Sequence, residues 1–305
     1  MKKKLLIIKL ILTLVISVLI IINFNLITKI IIETSIMYFK NIFPAILIFT
    51  LIANVLINYG FTYLSSYYLS KPLNKLFKIN NNSIFFTIIS LICTVPSNYI
   101  ILKDLINKNL INKKDALKLS LFNYYINPLF IYSYGLIIFN KKTTLIILLI
   151  HYLSNIFTGI VIRNINKKTY KKDEINNVYY KIISNEKNLI NVITSTIKNN
   201  FLSYIYILIF IIIFTIISEL INLGFLSGFL EISTGFIYLI KSNINILYKY
   251  YLFGIYISLG GLSILMQIKS VMKDDISFIT LLKGRFINLI ISLILLFFFS
   301  SFIIG

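Results

Sequence analysis

The stretch Ser90-Leu91-Ile92-Cys93-Thr94-Val95-Pro96-Ser97-Asn98-Tyr99 sets two hydroxyls, a proline and an amide between two apolar runs, Ile84 to Cys93 and Tyr99 to Ile106. In lipid every backbone N–H and C=O needs an internal partner. A polar interruption at membrane depth therefore survives only where protein or a wet cavity covers it. Proline removes one N–H and steers Val95 away from the helical region. Two readings fit the stretch by itself: one kinked span, or two half-helices over 83–106 that meet at a polar tip as a re-entrant hairpin.

The rest of the chain places this stretch in a membrane. Of 305 residues, 58% are hydrophobic, and several apolar runs approach or exceed the roughly 20 residues that cross a bilayer. No period-2 alternation accompanies them, so the fold class is an all-α polytopic membrane protein and not an outer-membrane barrel. One cysteine (Cys93) and one histidine (His151) leave no disulfide framework and no Cys/His metal cluster. A Ser-His-Asp enzyme is disfavoured too, because no Asp lies within an apolar run. Neither an enzyme nor a cofactor is expected. The net charge of +20 sits in short loops between spans, which fits lipid headgroups and topology rather than nucleic acid.

From the N-terminus, Lys2-Lys3-Lys4 precedes an apolar run, Leu5 to Ile22, broken by Lys9. The run is long and lacks a small-x-small site, which reads as an uncleaved first helix with Lys9 snorkelling to the cytoplasmic face. Residues 25–40, with Lys29, Glu33 and Lys40 at helical spacing, suggest an interfacial helix. The order of parts is then an N-terminal anchor (1–37), a first repeat (38–163), a cytoplasmic linker with an amphipathic helix (164–200) and a second repeat (201–305). Within the first repeat, 59–82 reads as an amphipathic surface segment, and a span from Leu119 to Phe139 is interrupted at Asn127-Pro128. His151 and Asn155, four apart, share one face of the span 143–162, either as a satisfied polar pair or as a ligand site. The second repeat holds a span over 201–217 and a broken stretch over 222–240. A span containing Gly260-Gly261-Leu262-Ser263 and Gln267 follows, and then a last span over 286–304.

Charge separates the two readings of the opening stretch. With a cytoplasmic N-terminus and two non-crossing stretches, 24 of the 30 Lys and Arg face the cytoplasm. A crossing first stretch would place the eight cations of 163–200 outside, against the positive-inside rule. Re-entrance follows, and the two hairpins then enter from opposite sides. Inverted repeats with discontinuous helices are a signature of secondary transporters.

Asn127-Pro128-Leu129-Phe130, His151-Tyr152-Leu153-Ser154-Asn155, Gly228-Phe229-Leu230-Glu231-Ile232-Ser233-Thr234-Gly235 and Gly261-Leu262-Ser263 with Gln267 form an ordered set. The set resembles the sporulation integral membrane protein family YlbJ/SpoVV, of the nucleoside-recognition Gate superfamily, over roughly residues 38–300. The first hairpin departs from that family's Gly-Tyr-Pro-x-Gly-Ala pattern and keeps only Pro96. The resemblance implies a fold related to concentrative nucleoside transporters. It also implies a role in spore formation, moving dipicolinic acid across the outer forespore membrane of the mother cell.

The expected binding groups are Thr94, Ser97 and Asn98 at one tip, Glu231, Ser233 and Thr234 at the other, and Asn127, Ser263 and Gln267 on the broken spans. Pro96, Pro128, Gly235 and Gly261 are the expected helix breaks, and Phe229, Tyr124 and Tyr125 the candidate walls of an aromatic slot. Glu231 stands out, since an acid at membrane depth costs about 2.5–3.5 kcal/mol on insertion scales. It could take a coupling proton or cation, or bind a polar substrate. With almost no cation visible inside the spans, half-helix N-termini would carry the recognition of an anion. A small-molecule anion and the lipid bilayer are the expected partners. A nucleoside or nucleobase transporter and a non-transporting scaffold of the spore envelope stay open.

Overall fold

A computed structural model of the chain describes residues 17–165 and 188–304, with Leu10, Thr13 and Leu14. The Lys2-Lys3-Lys4 cluster, Lys9 and most of the 164–200 linker lie outside the described residues. Among the described residues the regular structure is all helical. Five stretches are long and apolar enough to cross a bilayer: Phe24–Asn58, Lys141–Val161, Leu189–Ile221, Ile246–Met272 and Phe278–Ser301. An α-helical, multi-pass membrane protein is the class they support.

The first of these joins α1 (Phe24–Met37) to α2 (Phe43–Asn58) through a π-helical turn, Tyr38–Ile42. The interfacial helix expected over 25–40 is therefore no separate element. Pro44 sits in the first turn of α2, where a missing N–H costs nothing. Next, α3 (Phe61–Phe77) buries Thr62, Ser65, Ser66 and Ser70 and exposes Tyr68 and Leu69. Its hydroxyl face points into the protein with Phe77, and its outward face mixes Tyr68, Leu69 and Leu76 with Lys71 and Lys75.

Four short helices follow. They are α4 (Ser83–Ile89), α5 (Ser97–Asn107), α6 (Lys113–Phe122) and α7 (Pro128–Ile138). At 1.5 Å per residue, α4 rises about 10 Å and α5 about 17 Å, well short of a hydrocarbon core about 30 Å thick. The interruption expected at Asn127-Pro128 is wider, a non-helical run over 123–127. Pro128 has no N–H to return to Tyr124, and it biases Asn127 out of the helix. The Asn127 side chain then caps α7 by accepting from Leu129 N–H at 2.9 Å.

After α8 (Lys141–Val161), helix α9 (Leu189–Ile221) runs unbroken, so the amphipathic linker helix and the span expected from 201 are one element. The second short pair is α10 (Ser227–Leu230) with α11 (Ile232–Lys241). Gly235, expected to break a helix, lies inside α11. A Cβ there would come within 2.3 Å of the Gly228 Cα, so glycine serves the close approach of the two helices. The next span is interrupted between α12 (Ile246–Leu259) and α13 (Gly261–Met272), where Gly260 and Gly261 take φ of +82° and +67°. The last helix, α14 (Phe278–Ile304), starts eight residues before the span expected over 286–304.

Packing pairs α8 with α14, α2 with α9, α5 with α13 and α7 with α11. The core is aromatic where α11 meets α12, with Phe236 stacked on Phe253 at 4.0 Å.

Candidate functional site

The helix interruptions meet one another. Val95 N–H donates to the Tyr125 carbonyl at 2.8 Å, and the Asn98 side-chain amide to the Asn123 carbonyl at 2.9 Å. Ser90 Oγ donates to Asn123 Oδ1 at 2.9 Å, and the Tyr99 hydroxyl to the Ser120 carbonyl at 3.0 Å. Carbonyls that lose their helical donors at the 123–127 break thus find donors on the α4–α5 tip. One step further on, Tyr124 abuts Gly260, where a Cβ would lie 1.7 Å from the tyrosine oxygen. Gly261 in turn faces the Leu230 carbonyl, 3.1 Å from where its Cβ would be. A continuous path of contact links the first tip, both broken spans and the second tip.

At the middle of that path is a residue the sequence reading assigned to a cytoplasmic loop. Arg285 is 1% exposed. Its Nη2 donates to the Leu121 carbonyl at 3.0 Å, and its guanidinium carbon lies 3.9 Å from the centre of the Tyr124 ring. Nη1 has no hydrogen-bond partner, and among the described residues no carboxylate pairs with it. An uncompensated buried ion costs several kcal/mol. Arg285 is the exception to the expectation of almost no cation inside the spans, and the positive-inside count loses one member to the core. The signal was present in the sequence. Leu281, Gly284, Arg285, Asn288, Ser292 and Leu296 follow the i, i+3, i+4, i+7 stripe of a buried helix face, and all are buried.

His151 and Asn155 are both buried on α8, but they do not pair side chain to side chain. His151 Nε2 accepts from Ile126 N–H at 3.0 Å, so in the neutral ring the proton sits on Nδ1, which has no partner. Asn155 Nδ2 donates to the His151 carbonyl at 2.9 Å, leaving Oδ1 alone. Asn288 reaches Ser154 and Thr158 from α14 at 3.1 and 3.3 Å, and its Oδ1 is likewise unpartnered. Asn98 Oδ1 and the Tyr124 hydroxyl complete a set of buried polar atoms without protein partners.

The other expected residues divide. Ser97 Oγ donates to the Thr94 carbonyl at 2.6 Å, closing the first tip, and Pro96 stands just before α5. Glu231, 7% exposed, is the N-cap of α11: its carboxylate accepts from Ser233 Oγ and, at 3.0 Å, from Thr234 N–H. Glu231, Ser233 and Thr234 are thus one cluster, extended by Ser218 at 3.2 Å from Thr234 Oγ1. Gln267 donates to Ser263 at 3.0 Å on the buried face of α13. Asn127 is spent on its cap. Tyr125 stacks on Tyr152 at 5.1 Å, and Phe229 meets Tyr256 edge-on at 5.6 Å, so the three aromatic residues do not form one wall.

A second polar cluster escaped the sequence reading, because Asp104 looked like part of a solvated connector. Its carboxylate accepts from Asn54 at 2.7 Å and Asn200 at 3.1 Å, and Lys108 donates to Asn54 Oδ1 at 3.0 Å. Asn54, Asp104 and Lys108 border a cleft of about 180 Å3 between α2, α5 and α9.

Compared with models of protein families, with curated proteins and with solved structures, the chain matches none.

Proposed function

We propose that the chain is a secondary transporter of a small organic anion, and that dipicolinate moving across the outer forespore membrane is its cargo. One observation carries the transport reading: four helix interruptions touch in series and leave buried donors and acceptors without protein partners. An unsatisfied buried polar group costs about 1–3 kcal/mol, which a passive scaffold has no reason to bear. Element lengths are compatible with re-entrance, since neither α4 nor α5 spans the hydrocarbon alone, and the charge placement is what favours it over a broken crossing span.

The pairings of helices support an inverted repeat. If α5 corresponds to α11 and α7 to α13, the α5–α13 contact has its image in α7–α11, although the close packing of α9 on α13 has no comparable image between α2 and α7. With Arg285 taken out of the count, the 23-to-6 charge split still supports a cytoplasmic N-terminus. Dipicolinate rests on the family resemblance and on its shape, a flat dianion whose two carboxylates need donors.

Radiolabelled dipicolinate flux into vesicles holding the chain tests this. Saturable uptake is expected, and deletion in a sporulating host should give heat-sensitive spores poor in dipicolinate. The unpartnered amide oxygens of Asn98, Asn155 and Asn288 accept rather than donate, and they favour a second reading, a nucleoside or nucleobase. Uptake of uridine without dipicolinate would choose it. Flux of neither would leave the scaffold.

A further inference from the structure

The geometry points to Arg285 as the group that receives a substrate carboxylate, through its free Nη1 edge, with the Tyr124 hydroxyl as a second donor. This rests on the reading of the chain as an anion carrier and names the charged contact that reading lacked.

The backbone places this arginine deliberately. A Cβ at Gly284 would lie 2.6 Å from the Leu121 carbonyl oxygen and 2.8 Å from its Cα, so glycine lets α14 press against the last turn of α6. Arg285 is thereby held at the mouth of the 123–127 break. The neighbouring cation, Lys283, is exposed on the other side of the helix, whereas Arg285 is on the face turned into the protein. Its two protein contacts, a carbonyl and an aromatic face, orient the guanidinium without neutralising it. A guanidinium offers five N–H donors in a fork that matches a carboxylate. Tyr99, Tyr125 and His151 surround it, and each offers an uncharged side chain. Among the described residues no acid competes for the site.

The alternative is a structural pin that ties α14 to the α6 break, and binding separates the two. Purified full-length chain in detergent is dialysed against radiolabelled dipicolinate, benzoate or succinate, and its thermal midpoint is read with and without each. Saturable binding of at least one carboxylate is expected, weakened tenfold or more in Arg285→Gln and less in Arg285→Lys. Tyr124→Phe should weaken it severalfold. The same carboxylate should raise the midpoint of the parent and leave that of Arg285→Gln unmoved. If Arg285→Gln does not fold, Tyr124→Phe and the parent's own response decide.

No saturable binding of any of the three probes, or equal affinity in the parent and Arg285→Gln, would overturn the assignment. Tyr124→Phe binding as tightly as the parent would remove the second donor. Binding without uptake into vesicles would leave Arg285 its role and sink the transport reading instead.

Discussion

The Asn98 side-chain amide donates to the main-chain carbonyl of Asn123 at 2.9 Å, joining the tip between α4 and α5 to the gap between α6 and α7. Both residues are fully buried. Asn98→Ala leaves that carbonyl without its donor, which should cost about 1–3 kcal/mol. A lowered thermal midpoint and reduced flux are expected together. An unchanged midpoint would mean that the tip is held by Val95 and Ser90 alone.

The capping of α11 by Glu231 and the coupling role proposed for its charge can be parted by substitution. Glu231→Gln keeps an oxygen that accepts from Thr234 N–H, so the cap should survive and the midpoint should barely move. Flux should nonetheless fall to background if the charge takes part in coupling. Glu231→Leu removes the cap as well, which costs about 1 kcal/mol. Asn127→Leu removes the α7 cap at similar cost. Full flux in Glu231→Gln would confine the acid to capping.

Gly235→Ala tests the close approach of α10 and α11. The added methyl meets backbone, the Gly228 Cα, which no rotamer change can relieve. Overpacking of this kind costs about 1–3 kcal/mol. Membrane abundance and midpoint should both drop, whereas serine or alanine at an exposed position such as Asn243 should have no effect.

The loop between α13 and α14 carries an ion cluster outside the spans. Asp275 is bonded by Lys103 and, at 2.9 Å, by Lys113. Burial by itself would push its carboxyl up, but the two lysines outweigh burial and hold it below the usual carboxylate range. A depressed folded pKa contributes stability that is complete above the unfolded value of about 3.9 and is lost as pH falls through the folded one. The penalty of Asp275→Asn should therefore be constant from about pH 5 to 8 and shrink below about pH 4. Thermal midpoints of both proteins across that range are the measurement; a penalty that grows on acidification would contradict the assignment.

Topology can be read by labelling in a Cys93→Ser background. Single cysteines at the exposed positions Asn107 and Asn191 should react only from the cytoplasmic side, and one at Asn243 only from outside. An external Asn107 would mean that the first stretch crosses the bilayer, and the inverted-repeat arrangement would fail.

The sequence by itself determined the membrane class and the breaks at Pro128 and Gly260–Gly261, because each is a local property, whereas α6 was read as a polar connector. Apolar run length, the missing N–H of Pro128 and the positive φ open to Gly260 and Gly261 all act within a turn of where they are written. Element limits were harder to read where a tertiary neighbour set them. The run over 123–127 is wide because donors on the α4–α5 tip and His151 satisfy its backbone, and α9 is continuous although its charge pattern suggested two parts. Gly235 looked like a breaker until Gly228 stood against it. Only the tertiary structure decided the charge of the site. The stripe through Arg285 marks a buried face of α14, but Arg285 and Leu121 are 164 residues apart, and nothing local says that this face meets a broken helix. What α14 packs against is decided by the whole bundle.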